Sequence, residues 1–404
     1  MARKVFSRRQ FLATSLRSVG GLGLAVAGVD LAGQGIDLRE QKKTWAEASR
    51  SNESFFQRHA YDLNRLTLGT SFAPEQWSTR PEGYQEATRA LRTVIEDLNL
   101  KQIRLGLRWN RSLNDADQID LRRYHPFLEY CLSQGAEVCL NVGPVKTFRW
   151  PEEHPPRSVV SSLERIPPAE ALIYPWDPLG TQALDYLGRL TAQLQSSYGS
   201  AFSSIQIENE PYFAFGIHKW RLSQSYMLQA AQTVLEAFPE TRLLVTSSGR
   251  LNLSSIKDLF LALLARDRSL AGRLVSGFDY YYKSPVRDSE SIIRHFDPIS
   301  YAKPFTTSCE GHIDDSRAIG FSIEVTEAQA EPYGKFTSPG NSAKDLRYVI
   351  LRCLDKVLDS RRPALIRLWG IEELVKRMQR GAVTDEHRQM FEIIRVVNQM
   401  QAGT

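Results

Sequence analysis

Cysteine is scarce in this chain: Cys131, Cys139, Cys309 and Cys353 are the only four in 404 residues, and none is paired at the close spacing of a zinc ribbon or redox centre. Buried thiols are expected rather than a disulfide framework. The seven histidines are scattered without His-x-His or His-Glu-x-x-His spacing, so neither a metal centre nor a cofactor is called for. A Lys/Arg run with interleaved aromatics is also missing, which removes the basis for a nucleic-acid partner; Arg122-Arg123 and Arg361-Arg362 read as solvated helix ends. Acidic residues are absent from Met1 to Ala27, although that segment holds Arg3, Lys4, Arg8, Arg9 and Arg17. Its weakly apolar stretch, Val19 to Ala27, is far short of the roughly 20 residues a membrane span needs.

Ser7-Arg8-Arg9-Gln10-Phe11-Leu12 resembles a twin-arginine signal, followed by the apolar stretch and a small-residue cleavage site at Ala25-Val26-Ala27. The resemblance implies export in folded form by the twin-arginine machinery. The destination is periplasmic or extracellular, or membrane-tethered should the signal stay uncleaved. Removing the five cations takes the formal net charge from +5 to zero, so the basic balance belongs to the signal and says little about a substrate. Nothing in the sequence sets the oligomeric state.

With 42% hydrophobic residues and ordinary glycine and proline, the remainder has the composition of a globular protein. Residues 28–60 read as a linker or N-terminal helical extension, and 61–404 as one folded domain. In that domain eight apolar runs alternate with helical patterns: Leu66 to Phe72, Gln102 to Leu107, Glu137 to Val142, Ser204 to Ile207, Arg242 to Thr246, Val275 to Tyr280, Phe321 to Val325 and Ala364 to Leu368. Leu184, Leu187, Leu190 and Leu194 typify the covering helices. Eight units of about 43 residues predict an α/β fold, the (β/α)8 TIM barrel. One interval is long: 68 residues separate Cys139 from Ile207, which places an inserted loop at 143–178. That loop is proline-rich and carries Phe148-Arg149-Trp150-Pro151, read as exposed aromatics forming a substrate wall, or else as a packed excursion with Trp150 filling a gap.

Asn209-Glu210-Pro211 closes the fourth run and puts a carboxylic acid at a strand end, next to an amide able to grip a sugar hydroxyl. The seventh run supplies a second acid, Glu327, which lies 117 residues on, as strands four and seven of a barrel require. Together these residues resemble the large clan of retaining glycoside hydrolases built on (β/α)8 barrels, including its cellulase-like and β-galactosidase-like members. The resemblance covers about residues 61–400. It implies Glu210 as acid/base and Glu327 as nucleophile. It further implies Arg104 on strand two as hydrogen-bond partner of the nucleophile, Asn209 as ligand of the 2-hydroxyl, and Trp369 as the platform beneath the reacting sugar. From Tyr280-Tyr281-Tyr282, Tyr281 is the favoured hydroxyl directed at the nucleophile. Trp109 and Trp150 are further candidates for stacking on sugar rings. Glu324 and Glu331 remain rival nucleophiles and Glu208 a rival acid; Glu324, inside strand seven, also suits an inward carboxylate paired with an arginine.

The implied chemistry is double displacement on a β-linked glycan or oligosaccharide, with no cofactor and no metal. Two alternatives share these residues: a non-catalytic carbohydrate-binding barrel, and a transglycosylase acting on an envelope polysaccharide.

Overall fold

A computed structural model of the chain describes residues 52–77, 81–149, 151–247, 250–280, 284–287, 293–296, 320–329, 342–357 and 364–402. The twin-arginine segment, Trp150, Tyr281, Cys309 and Glu331 lie outside the described residues. Eight parallel strands close a barrel in the order β1-β8-β7-β6-β5-β4-β3-β2. They are β1 (Leu66–Phe72), β2 (Gln102–Gly106), β3 (Glu137–Asn141), β4 (Ser204–Gln206), β5 (Arg242–Ser247), β6 (Leu274–Tyr280), β7 (Ser322–Gln329) and β8 (Ala364–Trp369). The architecture is the (β/α)8 barrel that the eight apolar runs predicted, with strand bounds differing by a few residues at most.

The helices on the outside follow the apolar stripes of the sequence. The longest described helix, Pro178–Tyr198, starts with a proline whose missing N–H costs nothing in a first turn, and it ends at Gly199 with φ of 56°. Between those ends Leu184, Leu187, Leu190 and Leu194 are buried against the barrel, each worth about 1.5–3 kcal/mol of apolar transfer. The helix Asn52–Leu63 spans the expected boundary at 61, and Phe55 and Leu63 enter the same core. Cys131, Cys139 and Cys353 are buried free thiols. No described helix is long and apolar enough to cross a membrane.

Inside the barrel, side chains change character along the strands. Near the N-terminal ends of the strands, Glu324 accepts from Arg367 at 2.6 Å and Arg242 at 2.7 Å. Burial works to raise the Glu324 carboxyl, but Arg367 and then Arg242 hold it below the usual glutamate range. That makes Glu324 a structural ion-pair member rather than a nucleophile. Cys139, Leu244 and Val275 pack as an apolar cluster. Polar groups gather at the opposite, C-terminal mouth, where barrel enzymes keep their chemistry.

The inserted segment is packed more tightly than a wall of exposed aromatics. Lys146 and Glu153 form an antiparallel bridge. Leu172–Ile173 pairs in parallel with Arg221–Leu222, so the loops after β3 and β4 are stitched together. Phe148 is 1% exposed, which corrects the expectation of an exposed ring. Gly106 makes room for it, since a Cβ there would stand 2.9 Å from the Phe148 ring.

Candidate active site

Arg104, the third residue of β2, organises the mouth of the barrel. Its Nη1 donates to Glu327 Oε1 at 2.7 Å and to Ser71 Oγ at 3.1 Å; Nη2 donates to Asn209 Oδ1 at 2.6 Å, and Nε to Gln206 Oε1 at 2.6 Å. The guanidinium lies 4.3 Å above the Phe148 ring, so its remaining face is closed by an aromatic surface. A planar fork with this many fixed acceptors is rigid, and lysine could not reproduce it.

Glu327 reaches this hub because β7 is irregular. The register shifts between Val325 and Glu327 against β6 and between Val325 and Ala328 against β8, and the bulge re-aims the carboxylate toward the barrel axis. Glu327 is 1% exposed.

Glu210 sits just past β4, in a turn whose backbone is itself unusual. Glu208 and Glu210 have φ of 53° and 47°, left-handed conformations that ordinary side chains pay about 1–2 kcal/mol to adopt. The surroundings hold them there. Asn209 N–H donates to Lys146 O at 2.8 Å. Glu210 N–H donates to Thr246 Oγ1 at 3.0 Å. The buried Lys146 ammonium donates to the carbonyls of Glu210 at 3.0 Å and Phe213 at 2.6 Å. Gly143 is required at the neighbouring crossing, because a Cβ there would lie 2.3 Å from Glu208 Cα.

Glu208 is not part of the open mouth. It accepts from the N–H groups of Lys146 at 2.5 Å and Val145 at 3.3 Å and from Tyr226 Oη at 2.9 Å. Burial pushes its carboxyl up to about 7 against those donors. Its role is to fasten the loop after β3 to the turn that carries Glu210.

Asn209 uses its side-chain oxygen three times, for Arg104, Gln206 at 3.3 Å and Thr246 at 3.3 Å. With the oxygen committed, the amide nitrogen is the end that can donate to a ligand.

Asp279 on β6 joins these groups, and the sequence pattern did not single it out. It stands opposite Glu327 in the strand register and accepts from Thr326 Oγ1 at 2.7 Å. Burial, the charges of Glu327 and Glu210, and a hydrogen bond with Glu210 push its carboxyl well above the usual aspartate range. Attention to the tyrosines directly after it, Tyr280 to Tyr282, hid it. The local signal is an acid in a mostly apolar strand.

The aromatic candidates come out differently. Trp369 lies at the end of β8, but it is 2% exposed: the Arg149 guanidinium sits 3.8 Å from its ring centroid and Phe148 meets it edge-on at 6.0 Å. Arg149 also pairs with Glu372, which in turn accepts from Ala73 N–H at 2.6 Å. Trp109 is not presented to the mouth. It is stacked at 5.2 Å on Tyr186 of the helix Pro178–Tyr198 and is buried there as a packing residue, which corrects its assignment as a sugar platform. The structure thus brings Arg104, Asn209, Glu210 and Glu327 together, with Asp279, Gln206, Thr246 and Lys146 added. Among the described residues, no cluster of three or more His, Cys, Asp or Glu is placed to hold a metal.

No protein-family model matches the sequence, and no curated protein matches it either. Solved structures do. The virulence factor SghA, solved with its substrate analogue salicin, is 10% identical with a TM-score of 0.50, over 83% of this chain and 98% of that one. Xylanase 10B from Thermotoga petrophila RKU-1, in complex with xylobiose, is 13% identical with a TM-score of 0.48, over 80% and 85%. The glycoside hydrolase family 30 subfamily 8 xylanase Xyn30A from Clostridium acetobutylicum is 15% identical with a TM-score of 0.45, over 83% and 71%. At 10% identity the likeness to SghA is one of fold alone.

Proposed function

We propose that this chain is a retaining glycoside hydrolase acting on a β-linked glycan or oligosaccharide, with Glu327 as nucleophile and Glu210 as acid/base. The observation that carries the reading is convergence. Two carboxyls from β7 and from the turn after β4 meet at the C-terminal mouth of the barrel, both acting on Asp279, while one guanidinium bonds Glu327 and Asn209 together. A scaffold that needed only an ion pair has no use for the left-handed turn at Glu210 or the bulge at Glu327, and such outliers collect where geometry serves chemistry.

In the proposed reaction Glu327, held in place by Arg104, attacks the anomeric carbon while Glu210 passes its proton to the leaving oxygen. Retaining chemistry needs the two carboxyl groups about 5–5.5 Å apart. Glu210, now a carboxylate, then takes a proton from water as that water displaces Glu327 and frees the sugar. The Asn209 amide would donate to the 2-hydroxyl, a bond that tightens as the sugar ring gains oxocarbenium character. Twin-arginine export would place this activity in the periplasm or outside the cell, on an envelope or extracellular glycan.

A second reading, a carbohydrate-binding barrel without catalysis, is favoured by one observation: Arg149 covers the ring of Trp369, the expected sugar platform. Turnover separates the two. A panel of aryl β-glycosides and β-glucans incubated with the mature protein should yield hydrolysis of at least one class, lost on Glu327→Ala. No turnover on any of them, together with sugar binding that Glu327→Ala leaves unchanged, would favour the binding barrel.

A further inference from the structure

Three carboxyls, Glu210, Asp279 and Glu327, face one another at the barrel mouth, and a single described cation, Arg104, bonds one of them directly. Glu327 takes the Arg104 Nη1 donor at 2.7 Å. Among the described residues, the donor to Asp279 is Thr326 Oγ1, on Oδ1. Asp279 Oδ2 and Glu210 Oε1 are both buried and receive no hydrogen from any donor among the described residues. Yet Asp279 and Glu210 are in hydrogen-bonding contact with each other. Two carboxyl oxygens with no donor between them can make that bond only if one of them carries a hydrogen of its own.

We propose that Asp279 is a positioning residue that shares one proton with Glu210, so that the pair rather than Glu210 alone delivers and recovers the proton of the reaction. This rests on the hydrolase reading. The charged groups facing Asp279 are Glu327 from β7, Glu210 from the turn after β4 and Arg104 from β2; with three acids against one base, full ionisation of the cluster is disfavoured. The high carboxyl of Asp279 agrees with this arrangement.

The consequence for each step follows from atom balance. In the first, Glu327 bonds to the anomeric carbon, the glycosidic carbon–oxygen bond breaks, and the shared proton leaves Glu210 on the departing oxygen. The pair is then two adjacent carboxylates, which is the state most eager to regain a proton. In the second, water gives a proton to the pair, its oxygen bonds to the anomeric carbon, and the bond to Glu327 breaks. Asp279 thereby works as the proton's second seat, touching neither the sugar nor the leaving group.

The test is Asp279→Asn, which keeps the size and removes the second acid. For substrates with poor leaving groups, the basic limb of the kcat/KM profile should move to lower pH by about one unit or more, because no neighbouring acid then opposes loss of the proton. For dinitrophenyl glycosides, whose departure needs no acid, the loss should be at least about tenfold smaller. Independently of turnover, infrared difference spectra of wild type minus Asp279→Asn and wild type minus Glu210→Gln at neutral pH should each show the loss of a protonated buried carboxyl over the background that Glu208 and Glu153 contribute, the second variant serving if the first does not fold. A basic limb that stays in place, or difference spectra in which neither substitution removes any carboxyl absorption, overturns the shared proton while leaving the hydrolase reading intact. An inactive wild type whose difference spectra show that loss in either variant overturns the hydrolase reading while leaving the pair.

Discussion

Arg104 Nη1 lies 2.7 Å from Glu327 Oε1, and both side chains are buried. A buried pair of this kind is costly to break from one side, because the partner left behind is an uncompensated charge. Arg104→Met is therefore expected to lower stability by about 3–5 kcal/mol in chemical unfolding. Arg104→Lys keeps the charge but cannot reach Glu327, Asn209 and Gln206 at once, so it should fold and lose at least about a hundredfold in kcat/KM. Near-wild-type activity of Arg104→Lys would contradict the placing of Arg104 at the centre of the site.

Lys146 fixes the turn that presents Glu210, through its bonds to the Glu210 and Phe213 carbonyls. Lys146→Met leaves those carbonyls without their donor, at about 1–3 kcal/mol each if water cannot replace it. Because Lys146 does not touch the proposed reacting groups, the expected result is a drop in kcat larger than the change in KM, measured in steady-state kinetics alongside a lower unfolding midpoint. An unfolding midpoint and a kcat both equal to wild type would show that the turn holds itself.

Burial pushes the carboxyls of Glu208 and Glu153 each up to about 7 from an ordinary 4.5. A carboxyl whose folded value is raised binds more protons folded than unfolded, so its contribution to stability is present below the unfolded value and is lost as pH rises toward the folded one. The slope is at most about 1.4 kcal/mol per pH unit for each group. Thermal unfolding should accordingly give a higher midpoint at pH 5 than at pH 8. A midpoint that climbs over that interval would mean that these acids are ionised and paired in the folded protein.

Two glycines give opposite outcomes for the same substitution. Gly143→Ala drives a Cβ into the Glu208 backbone, 2.3 Å from Cα and 2.4 Å from N, where nothing flexible can yield. Several kcal/mol of destabilisation and lost activity are expected. Gly188, inside the helix Pro178–Tyr198, has nothing within 4 Å of the place a methyl would take, so Gly188→Ala should raise stability by about 0.5–1 kcal/mol. Denaturant midpoints of the two variants check both.

The barrel was legible because each strand announces itself locally. Runs such as Leu66 to Phe72 and Ala364 to Leu368 are apolar, short and separated by helical stripes, and no long-range knowledge is needed to see them. The acids at the ends of the fourth and seventh runs were legible for the same reason, through spacing along the chain. Asp279 was not, because its meaning comes from a bulge in β7 that brings Glu327 opposite it, a pairing across strands that leaves no mark around residue 279. The surroundings of Trp369 and Trp109 were hidden from the sequence for the same reason. Whether an aromatic ring at a barrel rim faces a ligand depends on what folds over it, and Arg149 and Tyr186 belong to distant segments. Glu324 went the other way: its place inside a strand already suggested an internal ion pair, and Arg367 supplies it.

The central claim, that Glu327 forms a covalent bond to the sugar and Glu210 serves it as acid and base, is tested most directly by azide rescue of Glu327→Ala. Removing the nucleophile should lower turnover by orders of magnitude, and azide, small enough to occupy the vacated space, should restore it and yield a glycosyl azide of inverted configuration. A product of retained configuration, or a Glu327→Ala protein as active as the wild type without azide, would contradict the account.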